Sequence, residues 1–116
     1  MKFLLDTNFL LSVPELKIDI FTELQKFGKP EFFTLNLVIK ELEKMNTKKS
    51  GFALKLVTDK KIKILNSVGD NADRELEIFT LEQDFILCTQ DKELKDRIKK
   101  LGGEVVFIRQ GKYLEK

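Results

Sequence analysis

Four carboxylates stand where an acid could do chemistry: Asp6, Glu41, Asp73 and Asp91. Asp6 directly follows the apolar run Phe3-Leu4-Leu5, and Thr7 and Asn8 then turn the chain back into apolar residues. In open α/β sheets ligands bind where strands end and helices begin, so Asp6 stands at such a place. An Asp there is equally a good helix N-cap. Asp91 has the same two readings, since it follows an apolar strand and opens a helix. Asp73 lies in the first turn of a helix, where the macrodipole favours an acid. Asp70 is the better cap for that helix, which leaves Asp73 without a capping duty. Glu41 comes three residues after Val38 and four before Met45, so it borders the buried stripe of its helix. A carboxylate at such a position needs a partner, a proton or a metal, because burying it alone is costly.

The rest of the composition narrows the chemistry. The 116 residues include no histidine, which excludes His-based triads, a His general base and zinc–histidine sites. The one cysteine, Cys88, lies in the apolar run Phe85-Ile86-Leu87-Cys88 and reads as an inert buried thiol. No disulfide framework is possible within the chain, which points to a reducing, cytoplasmic compartment. Hydrolysis here must rest on carboxylates, hydroxyls or lysines. A composition 42% apolar and 34% charged describes a folded, soluble chain of one domain, residues 1–116. The first residues do not read as a signal peptide, because Asp6 interrupts their apolar run, and no stretch is long enough to span a bilayer, so no membrane partner is expected.

The positioning elements follow from periodicity. Phe3 to Leu5 is a strand buried on both faces. Residues 16–27 read as a helix with Ile20, Phe21, Leu24 and Phe27 on one face, closed by Gly28 and Pro30. Glu31 to Leu35 is a second strand, and Asn36 caps a helix bearing Val38, Ile39, Leu42 and Met45. Residues 46–51 read as a polar loop, 52–57 as a short helix and 61–65 as a third strand. Residues 72–82 form a helix, 85–88 a fully apolar and therefore central strand, and Asp91 opens a helix with Leu94, Ile98 and Leu101 inward. Residues 105–108 are a fifth strand before a polar tail around Tyr113. Strands alternating with helices predict an α/β fold with a mainly parallel five-stranded sheet covered on both faces.

Right-handed crossovers place the four acids on the carboxyl side of that sheet. Several acids in one cleft repel, and a hard divalent cation with oxygen ligands resolves the repulsion. Mg²⁺ or Mn²⁺ suits a carboxylate-and-water site open to phosphate. The matching chemistry is phosphodiester hydrolysis, in which metal activates water and steadies the leaving oxygen.

The ordered set Leu4-Leu5-Asp6-Thr7-Asn8, Val38-Ile39-Lys40-Glu41-Leu42, Asn71-Ala72-Asp73 and Thr89-Gln90-Asp91-Lys92-Glu93-Leu94 resembles the PIN-domain family of metal-dependent ribonucleases. The likeness runs over nearly the whole chain, with the motifs in family order. It implies a three-layer α/β/α sandwich and a catalytic, metal-binding quartet of Asp6, Glu41, Asp73 and Asp91. Asn8 and Thr89 match positions that support the quartet through hydrogen bonds. Residues 19–24 and 91–98 look closest to the small archaeal and eukaryotic branch linked with ribosomal-RNA processing. That branch often carries a second acid where this chain has Arg74. VapC-type toxins are the neighbouring group, and homodimers are common in the family.

Setting four of the 19 acidic residues aside leaves 15 against 21 basic ones, a formal +6 outside the metal site. That excess suits an RNA backbone, particularly at Lys48, Lys49, Lys95, Arg97 and Lys99, although solvated lysines need no such role. Three functions compete: an endoribonuclease acting in ribosomal-RNA processing, a toxin ribonuclease restrained by a small antitoxin protein, and a non-catalytic module that binds RNA or protein. An incomplete acidic set would mark the third.

Overall fold

The computed structural model describes residues 1–16, 19–109 and 113–115. At its centre β1 (Lys2–Leu5) buries Phe3, Leu4 and Leu5 completely. It lies parallel between β2 (Glu31–Leu35) and β4 (Ile86–Cys88), with Leu4 opposite Phe33 on one side and Leu87 on the other. β3 (Lys63–Leu65) continues the parallel sheet beyond β2, and β5 (Glu104–Arg109) beyond β4. β6 (Tyr113–Glu115) runs antiparallel along β5, giving the order β3-β2-β1-β4-β5-β6. The sheet thus has six strands where five were expected. The sixth lies in the predicted polar tail, where Leu114 is buried opposite Ile108. Three residues are too few for an alternating pattern to show. Residues 110–112 and 116 lie outside the described ones.

Consecutive side chains of a strand point to opposite faces, and β2 uses this to build two aromatic clusters. Phe32 stacks on Phe3 at 6.1 Å and meets Phe21 edge-on at 5.1 Å. Its neighbour Phe33 meets Phe85 edge-on at 5.0 Å, and Phe85 meets Phe79 at 6.2 Å. Such pairs add about 0.5–1.5 kcal/mol each beyond the area they bury.

Connections from β1 to β2 and on to β3 run one way across the sheet, and those from β3 to β4 and β5 run the other. With right-handed crossovers the helices therefore cover both faces. α1 (Thr7–Ser12) packs against α3 (Asn36–Met45) and α4 (Lys48–Asp59), whereas α5 (Ala72–Glu82) packs against α6 (Lys92–Lys100). α2 (Ile20–Leu24) starts later than the predicted residues 16–27, because Asp19 caps it by accepting from Phe21 N and Thr22 N, and Gln25–Phe27 continue it as a 3-10 turn up to Gly28. Residues 17 and 18 of that predicted helix lie outside the described ones.

Residues 46–51, expected as a loop, instead hold the start of α4. Thr47 Oγ1 accepts from Ser50 N at 3.1 Å, and Ser50 Oγ accepts from Thr47 N at 2.8 Å. This is a capping box in which serine takes the place usually held by Glu or Gln. Asn46 ends α3 in the left-handed conformation, φ 48°, and turns the two helices into a hairpin. Leu101, expected to face inward, lies past the end of α6 and is exposed. Among the described residues no helix is long and apolar enough to cross a membrane.

Candidate active site

Leu5 and Cys88 pair across β1 and β4, so the residues that follow them emerge side by side. Asp6 N donates to Cys88 O at 3.2 Å. The Asp6 carboxylate is buried, and both of its oxygens are engaged. Oδ1 accepts from Phe9 N at 2.7 Å, which caps α1, and Oδ2 accepts the hydroxyl of fully buried Thr89. Thr89 Oγ1 in turn accepts from Asp91 N at 3.1 Å. Asp91 spends Oδ1 on Leu94 N, 3.2 Å away, at the start of α6. Both Asp6 and Asp91 are therefore helix caps, and the same placement lets the charge of Asp91 reach the Asp6 carboxylate.

Electrostatics marks Asp6 as unusual. Burial pushes its carboxyl up to about 7, the hydrogen bonds from Thr89 and Phe9 pull it back, and the charges of Asp73 and Asp91 push it up again. Burial likewise raises the neighbouring Cys88 thiol well above its ordinary range, helped by the Asp6 charge. That thiol is inert at neutral pH.

Asp73 is exposed in the first turn of α5, close enough for its charge to reach Asp6. Asn71, not Asp70, caps this helix by accepting from Arg74 N at 3.1 Å. Glu41 departs from expectation, for it is exposed. Periodicity gives its angle about α3 correctly, on the flank of buried Val38 and Leu42, but the outer end of α3 stands clear of the core and leaves Met45 40% exposed. Glu41 lines an open groove of about 400 Å³ with Leu37, Lys40, Lys44, Asp70 and Ala72. It thus faces the start of α5 across a cleft. Asn8 is exposed in the first turn of α1.

Among the described residues no three acidic or thiol side chains converge tightly enough to ligate one ion directly. The donor set nevertheless fits a hard cation. It offers oxygen only, and buried Asp6 is held close to neutrality partly by its anionic neighbours, a strain that a cation relieves. Mg²⁺ commonly keeps several waters and takes only one or two carboxylates, so the spread of these acids suits it.

Further residues support the site, and one expected as a cap has another role. Thr34 Oγ1 donates to Leu5 O at 2.7 Å, which fixes the peptide just before Asp6. Asn36 is the first residue of α3 and not its cap. Its Oδ1 accepts from Ser67 N at 3.0 Å and Ser67 Oγ at 2.8 Å, tying α3 to the loop before α5. Buried Glu75 accepts from Gly69 N at 2.9 Å and holds the same loop down. Its place three residues after Ala72, on the stripe side of α5, was the available signal.

The expected RNA-binding cations differ in how free they are. Lys48 is exposed at the start of α4. Lys49 pairs with Glu15. Arg97 Nε donates to Glu77 Oε1 at 3.0 Å. Lys95 and Lys99 stand over one ring, that of Phe107, at 4.0 and 5.3 Å from its centroid.

Acids gathered at the ends of two central parallel strands, with helices on both faces, define a class. The PIN-like domain family matches residues 3–111, and the chain belongs to it. The ribonuclease VapC9 of Archaeoglobus fulgidus is 33% identical over 114 residues, spanning 92% of this chain and 82% of the relative. The ribonuclease VapC4 of Methanocaldococcus jannaschii is 30% identical over 124 residues, spanning 98% and 95%. The solved structure of the PIN domain endonuclease Utp24 matches with a TM-score of 0.83 at 26% identity, covering 98% of this chain and 90% of that one. A domain of a functionally unknown protein from Methanocaldococcus jannaschii shares the fold, with a TM-score of 0.65 at 17% identity over 93% and 91%.

Proposed function

We propose that this protein is a Mg²⁺- or Mn²⁺-dependent endoribonuclease that hydrolyses RNA phosphodiester bonds at the carboxyl end of its sheet. The observation that carries the reading is the buried Asp6 carboxylate, linked through Thr89 to Asp91 and lying within the field of Asp73. Two relatives named as ribonucleases over nearly the whole chain support it. Asp6 and Asp91 would hold the ion, Asp73 reaching it through the ion's own waters, with Glu41 facing them from the groove wall. Bound there, the ion supplies an activated water and a charge to steady the leaving oxygen. Thr89 holds Asp6 Oδ2 in place, Thr34 secures the strand end beneath it, and Lys40 and Lys44 bring positive charge to the groove beside Glu41. The reducing interior implied by a lone buried thiol accords with work in the cytoplasm. The test is cleavage of structured and ribosomal RNA with Mg²⁺, Mn²⁺ or EDTA beside Asp6→Asn. Cleavage that persists in EDTA or in the variant refutes the reading.

The toxin reading rests on the same two relatives, both named VapC. In it a small antitoxin protein covers the cleft. Growth arrest on expression, relieved by a small co-expressed partner, supports this role. Unimpaired growth with an enzyme active in vitro favours RNA processing instead.

A further inference from the structure

We propose that the outward face of α4 is a stacking site for single-stranded RNA, centred on Phe52 and flanked by Lys48 and Lys55; the proposal rests on the ribonuclease reading and extends it beyond the acids. Lys48, Gly51, Phe52 and Lys55 follow the three- and four-residue spacing of one helix face, opposite the buried Ser50, Ala53 and Val57. Phe52 is 47% exposed, and among the described residues neither lysine has an ion pair. Gly51 is a second, independent observation. A glycine inside a helix costs roughly 0.5–1 kcal/mol relative to alanine. Such a glycine usually makes room for something packed against it, yet a Cβ here would meet nothing within 4 Å. α4 therefore sacrifices stability to leave bare backbone beside an exposed ring.

The chemistry of this face selects its occupant. A ring takes a nucleobase by stacking, while lysines a turn to either side take the phosphates of the same strand. A protein partner would need an apolar centre within roughly 800 Å² per side, and this face offers one apolar residue. The chain also leads from the groove to this face. Lys44 lines the groove at the outer part of α3, and exposed Met45 leads over the hairpin to Lys48.

The chain contains no tryptophan, so Phe52→Trp places a single reporter on the face. Parent, Phe52→Ala and Phe52→Trp are titrated with a labelled single-stranded RNA dodecamer and with duplex RNA in EDTA, and the KM for cleavage is read in Mn²⁺. Phe52→Ala should weaken binding or raise KM about five- to tenfold, and the emission of the introduced indole should be quenched by the single strand far more than by duplex. Phe52→Ala indistinguishable from the parent in both readouts overturns the stacking site and leaves the ribonuclease reading standing. Emission that shifts with protein concentration, and not with RNA, assigns the face to a second copy and also overturns it. A parent that neither binds nor cleaves any RNA removes both readings together.

Discussion

Thr89 donates its hydroxyl hydrogen to Asp6 Oδ2, and its hydroxyl oxygen accepts the backbone N–H of Asp91 at 3.1 Å. One short, fully buried side chain therefore sets the relation between two acids from opposite ends of the sequence. Thr89→Val keeps the shape and removes the hydroxyl, so a buried carboxylate oxygen loses its donor. The variant should lose about 1–3 kcal/mol of stability in denaturant unfolding. Its Asp6 carboxyl, freed from a bond that lowers it, should move further up, and the pH profile of cleavage should shift to higher pH. Thr89→Ser should restore both. A valine variant with parental stability and profile would contradict this account.

Asp6 makes metal-free stability depend on pH. Its folded value of about 7 lies above the ordinary 3.8, so the folded state favours the protonated acid. That contribution is complete below about pH 3.8 and is lost as pH rises through 7. From about pH 5 to about pH 8 the apo protein should lose roughly 2–3 kcal/mol from this group. Asp6→Asn should flatten that dependence, match or exceed the parent's stability at pH 8, and reduce cleavage on the order of a hundredfold or more. Denaturant midpoints across the pH range, compared between the two proteins, decide the matter.

Mn²⁺ should raise the melting temperature of the apo protein, and more at pH 8 than at pH 5, because Asp6 must lose its proton to act as a ligand. At a hundred times Kd the stabilisation is about 2.7 kcal/mol. Calorimetric titration at millimolar metal with no heat and an unmoved melting curve would rule out the site.

Lys95 and Lys99 share the ring of Phe107 and leave their charges together on one side of α6. Replacing both with Gln should weaken binding to unrelated RNAs by similar factors. The slope of log affinity against log salt should fall by about 0.7 for each phosphate no longer neutralised. Affinities that are unchanged at low salt would show that RNA takes another course.

Gly51→Ala should stabilise the protein by about 0.5–1 kcal/mol, since the added methyl meets open space and the unfolded chain loses freedom. A lower melting temperature would mean that the helix cannot accept the methyl after all.

The central half of the molecule was readable in advance because its signals are unbroken apolar runs. Phe3 to Leu5 and Phe85 to Cys88 could be little other than buried strands, and the acids behind them inherited their places. α4 was harder to see. Its first turn is lysine-rich, and its capping box uses Ser50 in place of the familiar glutamate. Glu41 shows a different limit. Spacing gave its angle about α3 but said nothing of how far that helix rises from the core. The links from Asn36 to Ser67 and from Glu75 to Gly69 join segments whose proximity only the folded chain supplies.

The left-handed Asn46 has a consequence for how such a protein can change over time. It folds α3 and α4 into a hairpin spliced between β2 and β3, at one margin of the sheet, while the Asp6–Thr89–Asp91 unit rests on the two middle strands. Lengthening or recharging the outer end of the hairpin, where Met45 and Lys48 are exposed, leaves the pairing of β1 with β4 untouched. The hairpin is in effect an exchangeable jaw on a constant anvil. Selection for a new target can thereby act on the outer hairpin, while selection for the bond-breaking chemistry holds the strand ends and, within the hairpin, Glu41.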